Sequence, residues 1–458
     1  MNVHEDILAT VGNTPLVRIR TNNPEGARLY LKLEGANPGG SAKDRAALHM
    51  LRTAADTGLI QPGGTLVEVT SGNTGVGLAI AAASLGYRAV IFVSAQIAVE
   101  KIRLLKAYGA DVRLVPGYHP KQHPESTHSR AAKFVAETPG AWRADQYEND
   151  ANPQAHFTAT GPEIWTATDG TVTHFVSTVG TGGTITGTGE YLKAASGGAV
   201  TVIGADPEAS TYSGGDGGPK FIEGAGHAVH PETNNDTWPS SFHVDVVDEY
   251  ISVSDRDSIF TARALAREQG ILIGGSGGTV LAAALQLADR LPADSIIVAL
   301  APDSGRNYLS TYLNDEWLVA RGFLDDAAAE SGRVRDLVGA DTRTPVFVDN
   351  RSTVAAAVVQ LDSLGVGPTE AVLVGFRRSE LWRPVPSSEV TGLVTLEALR
   401  SEDPEDLVRS VSLPPAPTIG IGASVLARPG FGPVSVLEDG RIVALLPAEV
   451  AVDLVGSR

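Results

Sequence analysis

Short runs rich in Val, Ile and Leu recur along the chain as far as about Leu324, at Tyr30–Leu33, Thr65–Val69, Ala89–Val93, Asp111–Leu114, Phe175–Val179, Val202–Ala205 and Ile296–Leu300. They are nearly continuous rather than alternating, as in strands covered on both faces. Helix-length stretches such as Thr74–Leu85 and Ala98–Tyr108 separate them. Strands alternating with helices predict a parallel α/β sheet.

Past this region the pattern changes. Asp325–Gly332 is small and acidic and reads as a linker. The chain therefore divides into a first domain over 1–324, a connection over 325–334 and a second domain over 335–458. The second domain shows two loosely similar halves. One runs from a strand at Val346–Val348 through a helix at Val354–Leu364 to a strand at Ala371–Val374, then Gly392–Thr395 leading into a short helix. The other holds Val434–Leu437, an Asp439-Gly440 hairpin turn, Arg441–Leu446 and a closing helix at Ala448–Leu454. A tandem β-α-β regulatory module and a purely structural appendage both fit this pattern.

Composition narrows the chemistry. The chain has 458 residues, 43% hydrophobic and 19% charged, as in an ordinary globular protein. A formal charge of −17 argues against nucleic acid and anionic membrane surfaces as partners. With no cysteine, disulfides, thiolate nucleophiles, thiolate-bound zinc and thiolate-ligated haem are excluded. The N-terminus lacks the basic region and apolar core of a signal peptide, and no apolar run is membrane-spanning in length. A cytoplasmic location is expected.

Four glycine-rich or polar turns follow strand ends, where open α/β sheets bind ligands. In the first, Asn37–Arg45, Lys43 stands at the start of a helix-like stretch. The positive end of a helix dipole disfavours the ammonium form, and a neutral amine is what Schiff-base chemistry needs. A solvated surface lysine is the alternative. The second turn, Thr70-Ser71-Gly72-Asn73-Thr74-Gly75, offers amides and hydroxyls to an anion such as a carboxylate. Asn73 could also meet a phenolate-type oxygen; a plain N-cap is the alternative.

The third turn, Gly180-Thr181-Gly182-Gly183-Thr184, suits a phosphate at a helix N-terminus. No lysine follows, so it is not a Walker loop. Ile185 replaces the third glycine of a dinucleotide fingerprint, yet Asp206 imitates a ribose-binding acid, which keeps a nicotinamide oxidoreductase open. In the fourth, Gly274–Thr279, the Ser276 hydroxyl could face a pyridine nitrogen without forcing its protonation; a tightly packed glycine turn is the alternative. Together the turns supply an amine, an anion site, a phosphate cradle and a ring-nitrogen partner. One cofactor needs all four: pyridoxal 5′-phosphate.

Gly12–Val17, Asn37–Arg45, Thr70–Gly75, Gly180–Thr184 and Gly274–Gly278, in this order, resemble the cysteine synthase and cystathionine β-synthase family over roughly residues 4–323. The resemblance implies an α/β, fold type II pyridoxal-phosphate-dependent core of two subdomains, like the tryptophan synthase β subunit. Asp145–Asn149, Ala205–Glu208, Pro302–Tyr308 and Leu313–Asp315 look more like cystathionine β-synthase. The C-terminal halves resemble the paired α+β domains named after that enzyme, in degenerate form.

On this resemblance, Lys43 is the Schiff-base lysine and general base/acid. Asn73 contacts the cofactor's 3′-oxygen, Gly180, Thr181, Gly182, Gly183 and Thr184 its phosphate, and Ser276 its ring nitrogen. Thr70, Ser71, Thr74 and Gln146 hold the substrate carboxylate, and Tyr147 lines the pocket. The implied reaction is β-replacement on L-serine or an O-activated L-serine through an aminoacrylate, with homocysteine adding to give cystathionine. Cysteine synthesis, or addition of another nucleophile, is the same-chemistry alternative; a nicotinamide oxidoreductase or a non-catalytic regulatory protein is the different-class one. No haem, metal, nucleic acid or membrane is expected, and a homodimer or higher homo-oligomer is.

This chain departs from the family in places. His227 stands where some relatives have tyrosine, and reads as a rim residue. The segment Tyr118–His128 carries three histidines but also Pro120 and Pro124, and reads as a surface loop rather than a metal site. In the C-terminal halves, Ala398 stands where adenosyl-binding relatives carry an acid three residues after Thr395. The second half has Ala444 in place of the threonine.

Overall fold

The apolar runs become strands. The computed structural model describes residues 3–70, 72–94, 99–117, 119–233, 237–327, 333–338, 345–376, 384–423 and 433–446. Among these, the first part of the chain carries β1 (Leu16–Ile19), β2 (Arg28–Leu33), β3 (Thr65–Val69), β4 (Arg88–Ser94), β5 (Asp111–Val115), β6 (Ala141–Arg143), β7 (His174–Thr178), β8 (Thr201–Pro207), β9 (Glu249–Val253) and β10 (Ile296–Ala301). They form two sheets, in the orders β5-β4-β3-β6 and β1-β2-β10-β7-β8-β9. All pairings are parallel except β1 with β2.

Every strand expected from the apolar runs is present. The three that were not expected, β1, β6 and β9, each lie at a sheet edge. There only part of the strand is covered, so polar residues such as Arg18 and Glu249 interrupt the apolar run and hide its period.

Each sheet has its own core. Helices Lys43–Asp56 and Asn73–Leu85 pack on the smaller sheet, around Leu51, Leu66, Leu78 and Ile91. Asn73–Leu85 is buried from Thr74 to Ala82, as expected of a helix apolar on all sides. Helices Asp255–Gln269 and Gly275–Arg290 cover one face of the larger sheet, and Phe175, Ile185 and Leu300 belong to the core on the other. Parallel strands send all their C-terminal ends the same way, so the turns after β3, β7 and β10 emerge on one side of their sheets.

The chain divides into the units Met1–Tyr308 and Leu309–Arg458. The boundary precedes the acidic linker because 309–324 pairs with the later chain. Gly440 N donates to Arg321 O (2.8 Å), and Asp326 N donates to Gly422 O (2.8 Å).

The second unit contains β11 (Phe347–Asp349), β12 (Ala371–Gly375), β13 (Val385–Pro386), β14 (Val390–Thr395), β15 (Thr418–Gly420), β16 (Val434–Glu438) and β17 (Arg441–Leu446). Its two halves repeat one pattern. β11 runs parallel to β12, which is antiparallel to β14; β15 runs parallel to β16, which is antiparallel to β17. Asp439 (φ 49°) and Gly440 (φ 74°) make the turn between β16 and β17, the positive pair that a two-residue hairpin requires. The expected closing helix at 448–454 lies outside the described residues.

Candidate active site

Four helices begin at the predicted turns: Lys43–Asp56, Asn73–Leu85, Gly183–Ala195 and Gly275–Arg290. Their caps are Ala42, Gly72, Gly182 and Gly274, and none makes a side-chain capping bond. Other helices are capped in the usual way, with Ser126, Ser254, Asn314, Thr353 and Thr395 each accepting from a first-turn amide, though the short helices from Ala151, Gly161 and Val408 are not. The helices from Asn73 and Gly183 can therefore turn first-turn N–H groups to a ligand, whereas those of the Lys43 helix are taken up by Ser41 and Ala42.

The phosphate-type turn is held open by its glycines. Gly182 has φ +88°, and a Cβ there would fall 2.2 Å from the Phe242 Cβ. Gly180 O accepts from the buried Tyr212 hydroxyl at 2.9 Å. Thr181 and Gln146, far apart in sequence, are joined by Asn152, whose Nδ2 donates to Thr181 Oγ1 (3.0 Å) and Gln146 O (2.8 Å). Ser241 Oγ adds a second clamp, 2.7 Å from Thr181 O and 2.9 Å from Tyr147 O. The phosphate turn and the Gln146-Tyr147 segment are thus one rigid wall.

The carboxylate-type turn joins the same wall. Buried Thr74 donates its hydroxyl to Gln146 Oε1 at 2.6 Å, which leaves the NH2 end of that amide as its donor. Thr70 Oγ1 accepts from Gly72 N at 3.2 Å and shapes the turn itself. Tyr147 is recessed; burial, then the Glu68 and Asp145 charges, pushes its phenol pKa upward. Ser71 lies outside the described residues. Ser276, the second residue of its helix, is buried.

Lys43 is the first residue of its helix. Burial lowers its pKa, outweighing the Asp303 and Glu34 carboxylates, which favour the ammonium. The shift is towards the uncharged amine, the direction expected from the helix start, with burial as its main cause.

Its neighbour Asp44 is pushed the other way, to about 7. Burial is the main cause, opposed by the Gly39 amide, which donates to Oδ2 at 2.5 Å. A carboxyl raised in the folded state takes up a proton on folding. Its contribution to stability is therefore full below the unfolded value near 4 and falls as pH rises towards about 7. Asp44→Asn should flatten this part of the melting-temperature-against-pH curve and raise stability at pH 8. An unchanged slope would refute the assignment.

Several residues at the site had no readable signal in the sequence. His156 lies in a π-helical turn, His156–Thr160, with Nδ1 2.9 Å from Thr160 Oγ1 and Nε2 3.2 Å from Thr184 Oγ1. Burial, then the Arg45 and Lys43 charges, lowers its pKa well below the usual value and keeps it neutral. Glu68, buried in β3, accepts from Val69 N (2.6 Å) and Gln146 N (3.2 Å), and burial raises it to about 7. Asn152, Ser241 and Asp303 belong here too. No motif spacing marks Asn152 and Ser241, and Asp303, inside the Pro302–Tyr308 run, was given no role by it, since each acts through residues distant in sequence.

Other expectations resolve as follows. Asp206, the would-be ribose acid, is buried and accepts from Ser213 N at 3.0 Å, holding the turn after β8. The His227 ring lies 5.3 Å from that of Tyr212, partly exposed. The histidine segment is not all loop: Ser126 caps a helix from Thr127, and His128, on it, lies 3.0 Å from Arg143 Nη2. Sequence reading stopped at the prolines and missed this cap. Thr395 is also used as a cap, accepting from Ala398 N at 3.2 Å. Among the described residues no group of His, Asp or Glu could hold a metal, and no helix is long and apolar enough to cross a membrane.

Glycine cradle, uncapped helix starts, lysine of lowered pKa and buried serine fit pyridoxal phosphate in the groups they offer. Fold and site together define a pyridoxal-phosphate enzyme of the parallel α/β kind. Residues 7–303 match the family described as pyridoxal-phosphate dependent enzyme, and the chain belongs to that family. It is similar to cystathionine β-synthase of Apis mellifera, 39% identical over 328 residues, covering 70% of this chain and 63% of that protein. The probable cysteine synthase of Bacillus subtilis (strain 168) is 42% identical over 308 residues, covering 66% of this chain and 95% of that protein. The solved structure of O-ureido-L-serine synthase has a TM-score of 0.62 at 34% identity, covering 74% of this chain and 100% of that one. The chain spans about three fifths of the animal cystathionine β-synthases it matches, 63% in Apis mellifera and 57% in Rattus norvegicus.

Proposed function

We propose that this protein catalyses β-replacement on L-serine or an O-activated L-serine, with homocysteine as nucleophile and cystathionine as product. A C–S bond at the β-carbon replaces the C–O bond, and water or the activating group's acid leaves. What supports the reading is a recessed Lys43 whose pKa is lowered, beside a glycine-started helix at Asn73 and a buried serine, not a carboxylate, at the start of the Gly275 helix.

When bound, the cofactor supplies an electron sink at the substrate's α-carbon. A hydroxyl partner such as Ser276 moderates that sink, which suits β-chemistry better than transamination. Lys43 Nζ takes up and returns the α-proton. First-turn amides at Gly183 to Ile185 and the Thr181 and Thr184 hydroxyls hold the phosphate, and Asn73 Nδ2 donates to the 3′-oxygen. The Thr74 backbone amide, the Thr70 hydroxyl and the Gln146 NH2 hold the substrate carboxylate, with Tyr147 beside them. The second unit serves as a degenerate regulatory or assembly module.

A second nucleophile class is favoured by coverage: the chain spans nearly the whole of the Bacillus protein and all of the O-ureido-L-serine synthase structure. Product mass decides. With serine, O-acetylserine or O-phosphoserine as donor, homocysteine should yield cystathionine at a kcat/KM at least ~10-fold above that for sulfide or hydroxyurea, the gap one buried specific contact supplies. Preference for sulfide or hydroxyurea would overturn the homocysteine assignment. No product from any pair would overturn β-replacement itself.

A further inference from the structure

Asp303 stands just past the end of β10, outside every glycine turn, yet three of those turns meet on it. Its segment is pinned by backbone bonds: Ala42 N to Pro302 O (2.8 Å), Gly274 N to Asp303 O (3.2 Å) and Ser304 N to Gly40 O (3.3 Å). Isolated bridges pair Ser41 with Asp303 and Ile273 with Ser304. The loop before Lys43 and the loop before Ser276 are therefore the two edges of one strip.

The side chain adds the third turn. Asp303 is 2% exposed. Its Oδ2 accepts from Asn73 Nδ2 at 2.7 Å and from the Tyr308 hydroxyl at 2.7 Å. Its Oδ1 is buried without a hydrogen-bond partner and faces the start of the Ser276 helix, where a Cβ on Gly274 would fall 1.9 Å away.

Burial raises the Asp303 pKa, opposed by the Tyr308 and Asn73 bonds and the Lys101 and Lys43 charges. Oδ2, which accepts from Tyr308, acts as an acceptor and so decides which end of the Asn73 amide faces it. Nδ2 must point to Asp303, and one of its two N–H bonds is used there. The second N–H is left for an acceptor on the cofactor side. Without Asp303 the amide could turn over and present its oxygen, an acceptor facing an acceptor. The Tyr308 ring that donates to Asp303 is in turn flanked by Lys101, whose Nζ lies 5.1 Å over it and pairs with Glu223.

We infer that Asp303 is a positioning residue: it orients the Asn73 amide towards the cofactor's 3′-oxygen and ties the turns bearing Lys43, Asn73 and Ser276 into one plate. The inference rests on the cofactor reading above.

A double-mutant cycle tests it, read by the visible absorption spectrum of the cofactor-loaded protein and by the cofactor dissociation constant. Asn73→Ala should change the balance of absorption bands and weaken cofactor binding roughly ten-fold, the scale of one lost hydrogen bond. Asp303→Ala should give the same spectral change and a similar loss, and the double variant should be no worse than Asn73→Ala alone. Melting of the cofactor-free protein separates this from unfolding. Should Asp303→Ala fail to fold, Asp303→Ser, too short to reach Asn73, takes its place with the same expectation. A folded Asp303 variant with wild-type spectrum and affinity, or losses that simply add to those of Asn73→Ala, would overturn the inference. If Asn73→Ala itself changes nothing, it is the cofactor assignment of Asn73 that fails.

Discussion

Lys43→Ala is expected to lose at least ~10⁴-fold in kcat/KM for β-replacement, since one group both joins the cofactor and moves the α-proton. The wild-type protein should be yellow, and in the variant that colour should become removable by dialysis, because only non-covalent contacts then hold the cofactor. The fold should survive. Lys43 is a recessed amine whose burial disfavours its charge, and the nearby Glu34 and Asp303 carboxylates keep their own partners in Arg45, Asn73 and Tyr308. Lys43→Arg should be as inactive, because a guanidinium does not give up its proton. The pH profile sharpens the test. With the amine pKa lowered by burial, any rise of activity with pH that Lys43 sets should come at lower pH than the range in which an exposed lysine titrates. Retention of a non-dialysable chromophore by Lys43→Ala, with near-native rates, would refute the assignment.

The features legible in the sequence were those whose physics is local. Buried parallel strands such as β3 and β10 show as unbroken apolar runs, and phosphate turns show as glycines before a helix. Lys43, Asn73 and Ser276 could be picked out because each sits in a glycine-rich or polar turn leading from a strand into a helix. What was not legible depends on chain crossings. Asp303 follows β10, Asn73 follows β3, and nothing in their spacing announces a bond spanning two sheets. Asn152 and Ser241 tie the phosphate turn to Gln146 and Tyr147 from loops whose local sequence reads as ordinary. His156 sits in a π-helical turn, a geometry with no periodicity to detect. The edge strands went unread because half-exposure mixes their pattern.

The other large effect concerns what holds Lys43 in place. Two residues further along the same helix, Arg45 enters a buried ion cluster. Its Nε and Nη2 donate to Glu34 at 2.6 and 2.9 Å, and its Nη1 and Nη2 to Glu163 at 2.7 and 2.8 Å. Lys32 Nζ completes the set, 2.7 Å from Glu163 Oε2 and 2.7 Å from Thr14 O. Two cations face two carboxylates, and the Glu34 side chain is 0% exposed. Removing one member strands an opposite charge in low dielectric, so Arg45→Met should cost about 3–5 kcal/mol in unfolding free energy. Arg45→Met with Glu34→Leu should recover part of that loss, because no fully buried ion is then left unpaired. The pH dependence follows in sign. Burial alone would raise the Glu163 pKa, but the bonds and charges of Arg45 and Lys32 prevail and hold it down at about 2. That stabilisation is present above the unfolded value near 4.5 and is lost as pH falls towards about 2. Arg45→Met should therefore raise the pH at which acid unfolds the protein. Urea titrations from pH 3 to 8 would show it, and a variant matching the wild type throughout would mean that the cluster contributes no net stability.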